Sequence, residues 1–384
     1  MYICANNFLE IMRNSLFILL MSMTAMSLNA QSSPDYFLMI GTYTTTPTDG
    51  IEIYSYNSHD GTFQFLNRTA IKNPSYLAVS PNQKYLYSVG ETGNPTGGTV
   101  SAFTLDASAG TIKLINTQPA LGNSTCYVSV HKSGNWVAAA NYSTGNFVYY
   151  PVGMDGALQT PINVQHHGSS IIKGRQDGPH AHSAVYSPDG KYLMVQDLGI
   201  DKIMIYPIDA KGKIDTIKTS FAQMAPGSGP RHLDFHPNGK WAYLMEEMSG
   251  NLTALSYKKG KLQILNSVNA YPSDYTGPKG SADVHVSPDG KFVYGSNRGE
   301  SNTIGIFKID QATGKIALIG TQSTMGLIPR NFTFDPTGNL LLVAHQNSAN
   351  VVVFKVNKET GLLTDTGTRL TVSKPVCLKW VKKV

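Results

Sequence analysis

Ser187-Pro188-Asp189-Gly190-Lys191-Tyr192-Leu193 returns one hundred residues later as Ser287-Pro288-Asp289-Gly290-Lys291-Phe292-Val293. Looser copies stand between and around them. They are Ser80-Pro81-Asn82-Gln83-Lys84, His236-Pro237-Asn238-Gly239-Lys240, Asp335-Pro336-Thr337-Gly338-Asn339 and the degenerate His131-Lys132-Ser133-Gly134-Asn135. The fifth residue of each copy falls at 84, 135, 191, 240, 291 and 339, so the period is close to 51 residues. A fixed period of this size marks a repeat architecture. The phrase itself is turn chemistry, because proline pre-sets φ and glycine accepts a positive φ.

Each copy is flanked by strand-like runs. Ser183-Ala184-Val185-Tyr186 precedes the phrase, Tyr192-Leu193-Met194-Val195 follows it, and Lys202-Ile203-Met204-Ile205-Tyr206 comes third. A fourth run is expected to start after Gly212, at Lys213-Ile214-Asp215. Four antiparallel strands per repeat of this length describe a propeller blade. Near the C-terminus Pro375-Val376-Cys377-Leu378-Lys379-Trp380 reads as a first strand without its partners. The partners stand at the other end of the chain, as Tyr36–Ile40, Gly50–Tyr56 and Gly61–Leu66. The fold predicted is an all-β, seven-bladed β-propeller, its last blade closed by N- and C-terminal strands. Such closure removes the open sheet edges of a linear array.

Composition agrees with this reading. Of 384 residues, 36 are Gly, 20 Pro, 20 Tyr and 14 Phe, and only 15% are charged. A core is available at 41% hydrophobic, which excludes a disordered chain. The net charge of +6 is spread without any Lys/Arg run longer than a pair. That excludes the basic stripe nucleic-acid binding needs.

Two segments organise the chain. Arg13, the apolar run Ser15–Met21 and the small-residue exit at Leu28-Asn29-Ala30 have the layout of a secretory signal. Residues 1–30 are therefore expected to be a signal peptide and 31–384 the propeller. The expected location is outside the cytoplasm, most simply a bacterial periplasm, with no membrane association of the mature form. Cys126 and Cys377 fall on inner strands of non-adjacent blades, so they are expected to be buried thiols rather than a disulfide.

The repeat also predicts a site. An innermost strand runs along the channel and the second strand returns antiparallel. The start of one and the end of the other therefore share a mouth. Counted from the repeat proline, one ring holds Ser75, Cys126, His182, Arg231, Ala282, Arg330 and Val376. The other holds Glu91, Tyr142, Leu198, Glu247, Arg298, Gln346 and Thr42. His180 flanks the first ring, and Asn141, Asp197, Glu246 and Asn297 precede the second. Buried charge is costly unless paired, so these groups are either structural ion pairs or a mouth that reads anions, for which arginine is suited. Asp189, Asp289, His236 and Asp335 belong to turns, and His285 reads as a core histidine. No Gly-x-Ser-x-Gly, His-Glu-x-x-His, phosphate loop or dinucleotide fingerprint occurs. General acid–base chemistry with electrostatic stabilisation remains.

At these residues the sequence resembles the lactonase family of seven-bladed β-propellers, which includes cycloisomerase-type 6-phosphogluconolactonases and carboxy-cis,cis-muconate cyclases. The resemblance covers about residues 36–381. Its carriers are Gly41-Thr42-Tyr43-Thr44, Gly178-Pro179-His180-Ala181-His182-Ser183, Gly229-Pro230-Arg231-His232-Leu233, Glu246-Glu247, Ser296-Asn297-Arg298-Gly299 and Pro329-Arg330-Asn331-Phe332. It implies a catalytic set of His180, Arg231, Glu247 and Arg298, with His182 competing for the place of His180. Glu247 or His180 is expected to activate water, and Arg231 and Arg298 to bind the anionic group and stabilise the oxyanion. Substrate contacts are expected from His182, Arg330, Glu91, Asn141, Asp197 and Asn297. The implied substrate is a lactone bearing an anionic group, and hydrolysis of a sugar lactone such as 6-phosphogluconolactone is the expected reaction. Neither cofactor nor metal is expected, and cycloisomerisation can share such a mouth. Two other readings stand beside it. One is a non-catalytic propeller that binds a sugar acid or a protein partner. The other is a calcium-dependent lactonase with Glu91, Asn141, Asp197 and Glu247 as oxygen ligands.

Overall fold

A computed structural model describes residues 34–94 and 96–384. The expected signal segment lies outside them. The opening strands are β1 (Tyr36–Thr42), β2 (Gly50–Asn57) and β3 (Thr62–Ala70). The first complete blade is β4 (Leu77–Val79), β5 (Tyr85–Gly90), β6 (Thr99–Asp106) and β7 (Thr111–Pro119). The next holds β8 (Thr125–Val130), β9 (Trp136–Asn141), β10 (Asn146–Pro151) and β11 (Ile162–Gln165). Then come β12 (Ala181–Tyr186), β13 (Tyr192–Asp197), β14 (Lys202–Pro207) and β15 (Ser220–Gln223). The fourth is β16 (Pro230–Phe235), β17 (Trp241–Glu246), β18 (Asn251–Lys258) and β19 (Lys261–Asn269). The fifth is β20 (Ser281–Val286), β21 (Phe292–Asn297), β22 (Thr303–Ile309) and β23 (Ile316–Ser323). The sixth is β24 (Pro329–Phe334), β25 (Leu340–His345), β26 (Asn350–Val356) and β27 (Leu363–Thr371). The last strand, β28 (Pro375–Lys382), is the inner strand of a sheet ordered β28-β1-β2-β3. Inner strands touch in the closed cycle β4, β8, β12, β16, β20, β24, β28 and back to β4. The fold is the seven-bladed β-propeller, sealed by strands from both ends of the described chain.

The repeated phrase does the same work at its two Ser-Pro-Asp-Gly copies. In the turn at 187–192, Ser187 Oγ donates to Asp189 Oδ1 at 2.6 Å and accepts from Tyr192 N at 3.0 Å, while Gly190 takes φ 68°. The turn at 287–292 has the same bonds at 2.6 and 3.0 Å, with Gly290 at φ 74°.

The tyrosines clasp blade to blade. Tyr87, Tyr243 and Tyr294 are fully buried and donate their hydroxyls to Gly156 O, Gly314 O and Gly361 O at 3.1, 3.2 and 2.7 Å. Tyr149 does the same to Gly212 O. Each acceptor belongs to a turn of the following blade, so one aromatic both fills the inter-blade core and satisfies its own polar atom.

Gly212 therefore corrects one expectation. The stretch that follows it is a turn closed by a bridge between Ile208 and Ile214, and Asp215 Oδ1 accepts from Ile217 N and Lys218 N at 2.9 and 3.0 Å. The outer strand begins only at Ser220. Cys126 and Cys377 are buried free thiols.

Most inner strands carry a β-bulge near the channel mouth. In β8, β12, β16 and β24 the register skips one residue, and the skipped residues are Cys126, His182, Arg231 and Arg330. The pairing of β28 with β1 skips Val376 in the same way. A bulge re-aims the extra side chain. Five of the seven residues of the first ring read from the sequence are these bulged residues.

Candidate active site

A cavity of about 400 Å³ lies at the mouth of the channel. Its wall includes Cys126, His182 and Arg330 from the bulged ring, and Glu91, Tyr142, Glu247, Arg298 and Gln346 from the ends of the second strands. Tyr43, Ser124 and Ser143 complete it. The last blade contributes Tyr43 rather than Thr42, whose hydroxyl turns away to Gly50 O at 2.7 Å.

Glu247 is the electrostatic centre. Its Oε2 is 2.9 Å from both Arg231 Nε and Arg298 Nη2, and its Oε1 is 2.7 Å from Arg175 Nη2. Burial alone would raise its pKa, but Arg298, Arg231 and Arg175 bring it down to about 2. The carboxylate is thus permanently ionised and a weak base. Arg231 lies beneath the cavity, 1% exposed, with Nη1 donating to Ala282 O at 2.6 Å. Burial, then Arg298 and Arg330, lowers it to about 10, which leaves it charged at neutral pH. Arg298 is pinned by Nε to Gly280 O at 2.9 Å and by Nη2 to Ser281 O at 3.2 Å.

Arg330 is different. Its guanidinium lies 5.4 Å from the Tyr43 ring centroid and makes no hydrogen bond or ion pair among the described residues. Tyr43 and Glu91 hold it firmly charged against the effect of burial. Glu91 is braced through one oxygen, which accepts from Tyr43 Oη at 2.7 Å and Ser75 Oγ at 2.5 Å.

The two histidines separate. His182 lines the cavity, with Nδ1 3.8 Å from Cys126 Sγ and no partner for Nε2 among the described residues. Burial first, then Arg231 and His232, pushes its pKa well down, so the ring is neutral. His180 stands behind Tyr142, stacked on that ring at 4.6 Å, and its Nδ1 is 2.8 Å from Tyr142 O.

Asn141, Asp197 and Asn297 lie outside the cavity wall and are fully buried. Asn141 Nδ2 donates to Ala120 O and Asn297 Nδ2 to Ala270 O, both at 2.8 Å. Asp197 accepts from His180 N at 2.7 Å, Gly199 N at 3.0 Å and His166 Nδ1 at 2.6 Å. Each sits one residue before the second ring, and successive strand residues face opposite sides. They tie down loops instead of meeting a substrate. The four oxygens of the calcium reading therefore do not converge. Among the described residues no group of three or more His, Cys, Asp or Glu side chains could hold a metal ion.

The model of the seven-bladed β-propeller lactonases matches residues 37–380. The chain belongs to that family. Among its relatives, the 6-phosphogluconolactonase of Formosa agariphila is 40% identical over 332 residues, spanning 85% of this chain and 94% of that one. The 6-phosphogluconolactonase of Bacillus subtilis is 36% identical over 352 residues, 91% of this chain and 99% of its own. The solved periplasmic gluconolactonase of Pseudomonas aeruginosa superposes with a TM-score of 0.86 at 34% identity, over 91% of this lactonase-family chain and 99% of the other.

Arg175 is the residue sequence reasoning missed. It stands in the loop between β11 and β12, outside any repeat register, yet it closes the third side of Glu247. Only an arginine in a Gly-rich loop beside the His180 segment could have hinted at it.

Proposed function

We propose that the protein hydrolyses a sugar lactone that carries an anionic group, with 6-phosphogluconolactone or a close relative as substrate. The observation that carries this reading is one cavity holding Arg330, a guanidinium with no hydrogen-bond acceptor among the described residues, and His182, a neutral imidazole whose Nε2 has no partner among them. The names of the close relatives support the same chemistry. Four guanidiniums (Arg175, Arg231, Arg298, Arg330) stand at or beneath the mouth against three carboxylates, Glu91, Glu247 and the deeper Asp283. The surplus guanidinium, Arg330, favours an anion.

In this mechanism Arg330 binds the anionic group through its free N–H donors. Glu91 accepts hydrogen bonds from sugar hydroxyls. A water attacks the lactone carbonyl carbon while His182 Nε2 takes its proton. Arg298 Nη1, which makes no hydrogen bond among the described residues, stabilises the oxyanion. Collapse breaks the bond from the carbonyl carbon to the ring oxygen, and the proton passes from His182 to that oxygen. The product is the open hydroxy acid. Glu247 holds the arginines in place. With three guanidiniums on its oxygens it is too weak a base to activate water.

The test is turnover of 6-phosphogluconolactone and glucono-δ-lactone by the purified protein, with and without chelator. Turnover insensitive to chelator, with preference for the phosphorylated lactone, is expected. No turnover on either substrate overturns the reading. Export remains part of the proposal. The signal-like residues 13–30 support it, as does the periplasmic relative, and cell fractionation tests it.

A further inference from the structure

Below the cavity the channel is filled by polar side chains that the reaction above leaves unused. His232 Nδ1 is 2.7 Å from Asp283 Oδ1, and His232 Nε2 is 3.3 Å from Arg231 Nη1. Arg231 leads on to Glu247. All of these are buried. The second oxygen of Asp283 is fixed in turn by His285 Nε2 at 3.1 Å, Phe332 N at 3.3 Å and Asn331 Nδ2.

Protonation gives this row a direction. Asp283 is held ionised well below the usual carboxylate range, because His285 and His232 outweigh its burial. An ionised carboxylate only accepts, so the proton of His232 sits on Nδ1. Burial and Arg231 push His232 down to about 4, so at neutral pH Nε2 is a bare lone pair facing a guanidinium N–H. The opposite tautomer would set two N–H groups against each other. The bulge at Arg231 brings these adjacent residues together within one strand. The His232 ring also packs edge-on against His182, 5.3 Å between centroids.

We propose that His232, its tautomer set by Asp283, is a positioning residue: it aims Arg231, and through Glu247 also Arg298, while buttressing His182. The role rests on the lactonase reading of the same cavity.

The test compares wild type, His232→Leu and His232→Gln on 6-phosphogluconolactone. Glutamine can donate an amide N–H to Asp283 and offer its oxygen to Arg231, whereas leucine can do neither. His232→Leu is expected to lose kcat on the order of 10²-fold, with KM changed less than about threefold. His232→Gln is expected to recover most of that loss. Full kcat in His232→Leu, or equal losses in both variants, overturns the proposal. Nitrogen-15 NMR of wild-type protein decides the same point if the leucine variant does not fold. His232 is expected neutral with its proton on Nδ1, and a proton on Nε2 overturns the relay. A wild type inactive on every lactone would sink the lactonase reading, and the NMR tautomer would still decide the relay.

Discussion

Arg231 Nε lies 2.9 Å from Glu247 Oε2, and that oxygen is shared at the same distance with Arg298. Removing one partner of a buried pair leaves a charge uncompensated, at a cost of about 3–5 kcal/mol. Glu247→Gln should therefore lower the unfolding free energy by roughly that amount, as well as turnover. The pH dependence follows from the lowered pKa. Glu247 titrates near 4.5 when free and about 2 when folded, so its contribution is full above the free value and is lost as pH falls through the folded one. Urea unfolding from pH 7 to pH 2 should show the wild-type advantage over Glu247→Gln shrinking only in the acid range. An advantage independent of pH would contradict the ion-pair assignment.

His182 should govern the acid limb of the rate profile. Its neutral form is the base, and burial with Arg231 and His232 holds its pKa well below the ordinary 6.5. The acid limb of kcat/KM is thus expected below pH 6.5, with full activity at pH 6.5 itself. His182→Asn should remove that limb along with most of the turnover, on the order of 10²-fold or more. His180→Asn should cost far less, because His180 reaches the cavity only through Tyr142. Equal losses in the two variants would return the base role to His180.

Arg330→Met should act on binding of the anion. With no acceptor among the described residues to leave behind, the variant should fold normally. It should raise KM for the phosphorylated lactone by about 10-fold or more, the worth of a charge-assisted hydrogen bond. KM for the neutral lactone should barely move. A parallel rise for both substrates would show that Arg330 serves the shared lactone and not the anion.

The repeat made the fold legible because the turn chemistry of Ser187–Lys191 recurs, with the same side-chain bonds at Ser287–Lys291. It made the first ring legible too, since the bulge that aims His182 and Arg330 falls at the same place in most inner strands. Roles were harder to read. Asn141 and Asn297 differ from the cavity residues Tyr142 and Arg298 by one step along a strand, which only the pleat turns into an opposite direction, and Asp197 is buried beside Leu198, which itself stands outside the cavity wall. A glutamate at the place of Glu247 reads as a base by its type, and the count of guanidiniums on its oxygens appears only in three dimensions. Arg175 comes from a loop outside the period, where spacing carries no information.

Asn331 should prove the weak point of ring closure. Its Oδ1 accepts from Leu378 N in the closing strand at 2.8 Å, and its Nδ2 donates to Asp283. One buried side chain thus joins β24, β20 and β28. Asn331→Leu keeps a similar volume but strands a buried backbone N–H and one acceptor site of a buried carboxylate. Each of the two unmet groups costs about 1–3 kcal/mol, so a loss of roughly 2–6 kcal/mol is expected. Thermal unfolding followed by circular dichroism measures it. Hydrogen exchange at Leu378 should rise before exchange in β9 or β13, because the closing strand is released first. Unchanged protection at Leu378 would mean that pairing of β28 with β1 alone seals the ring.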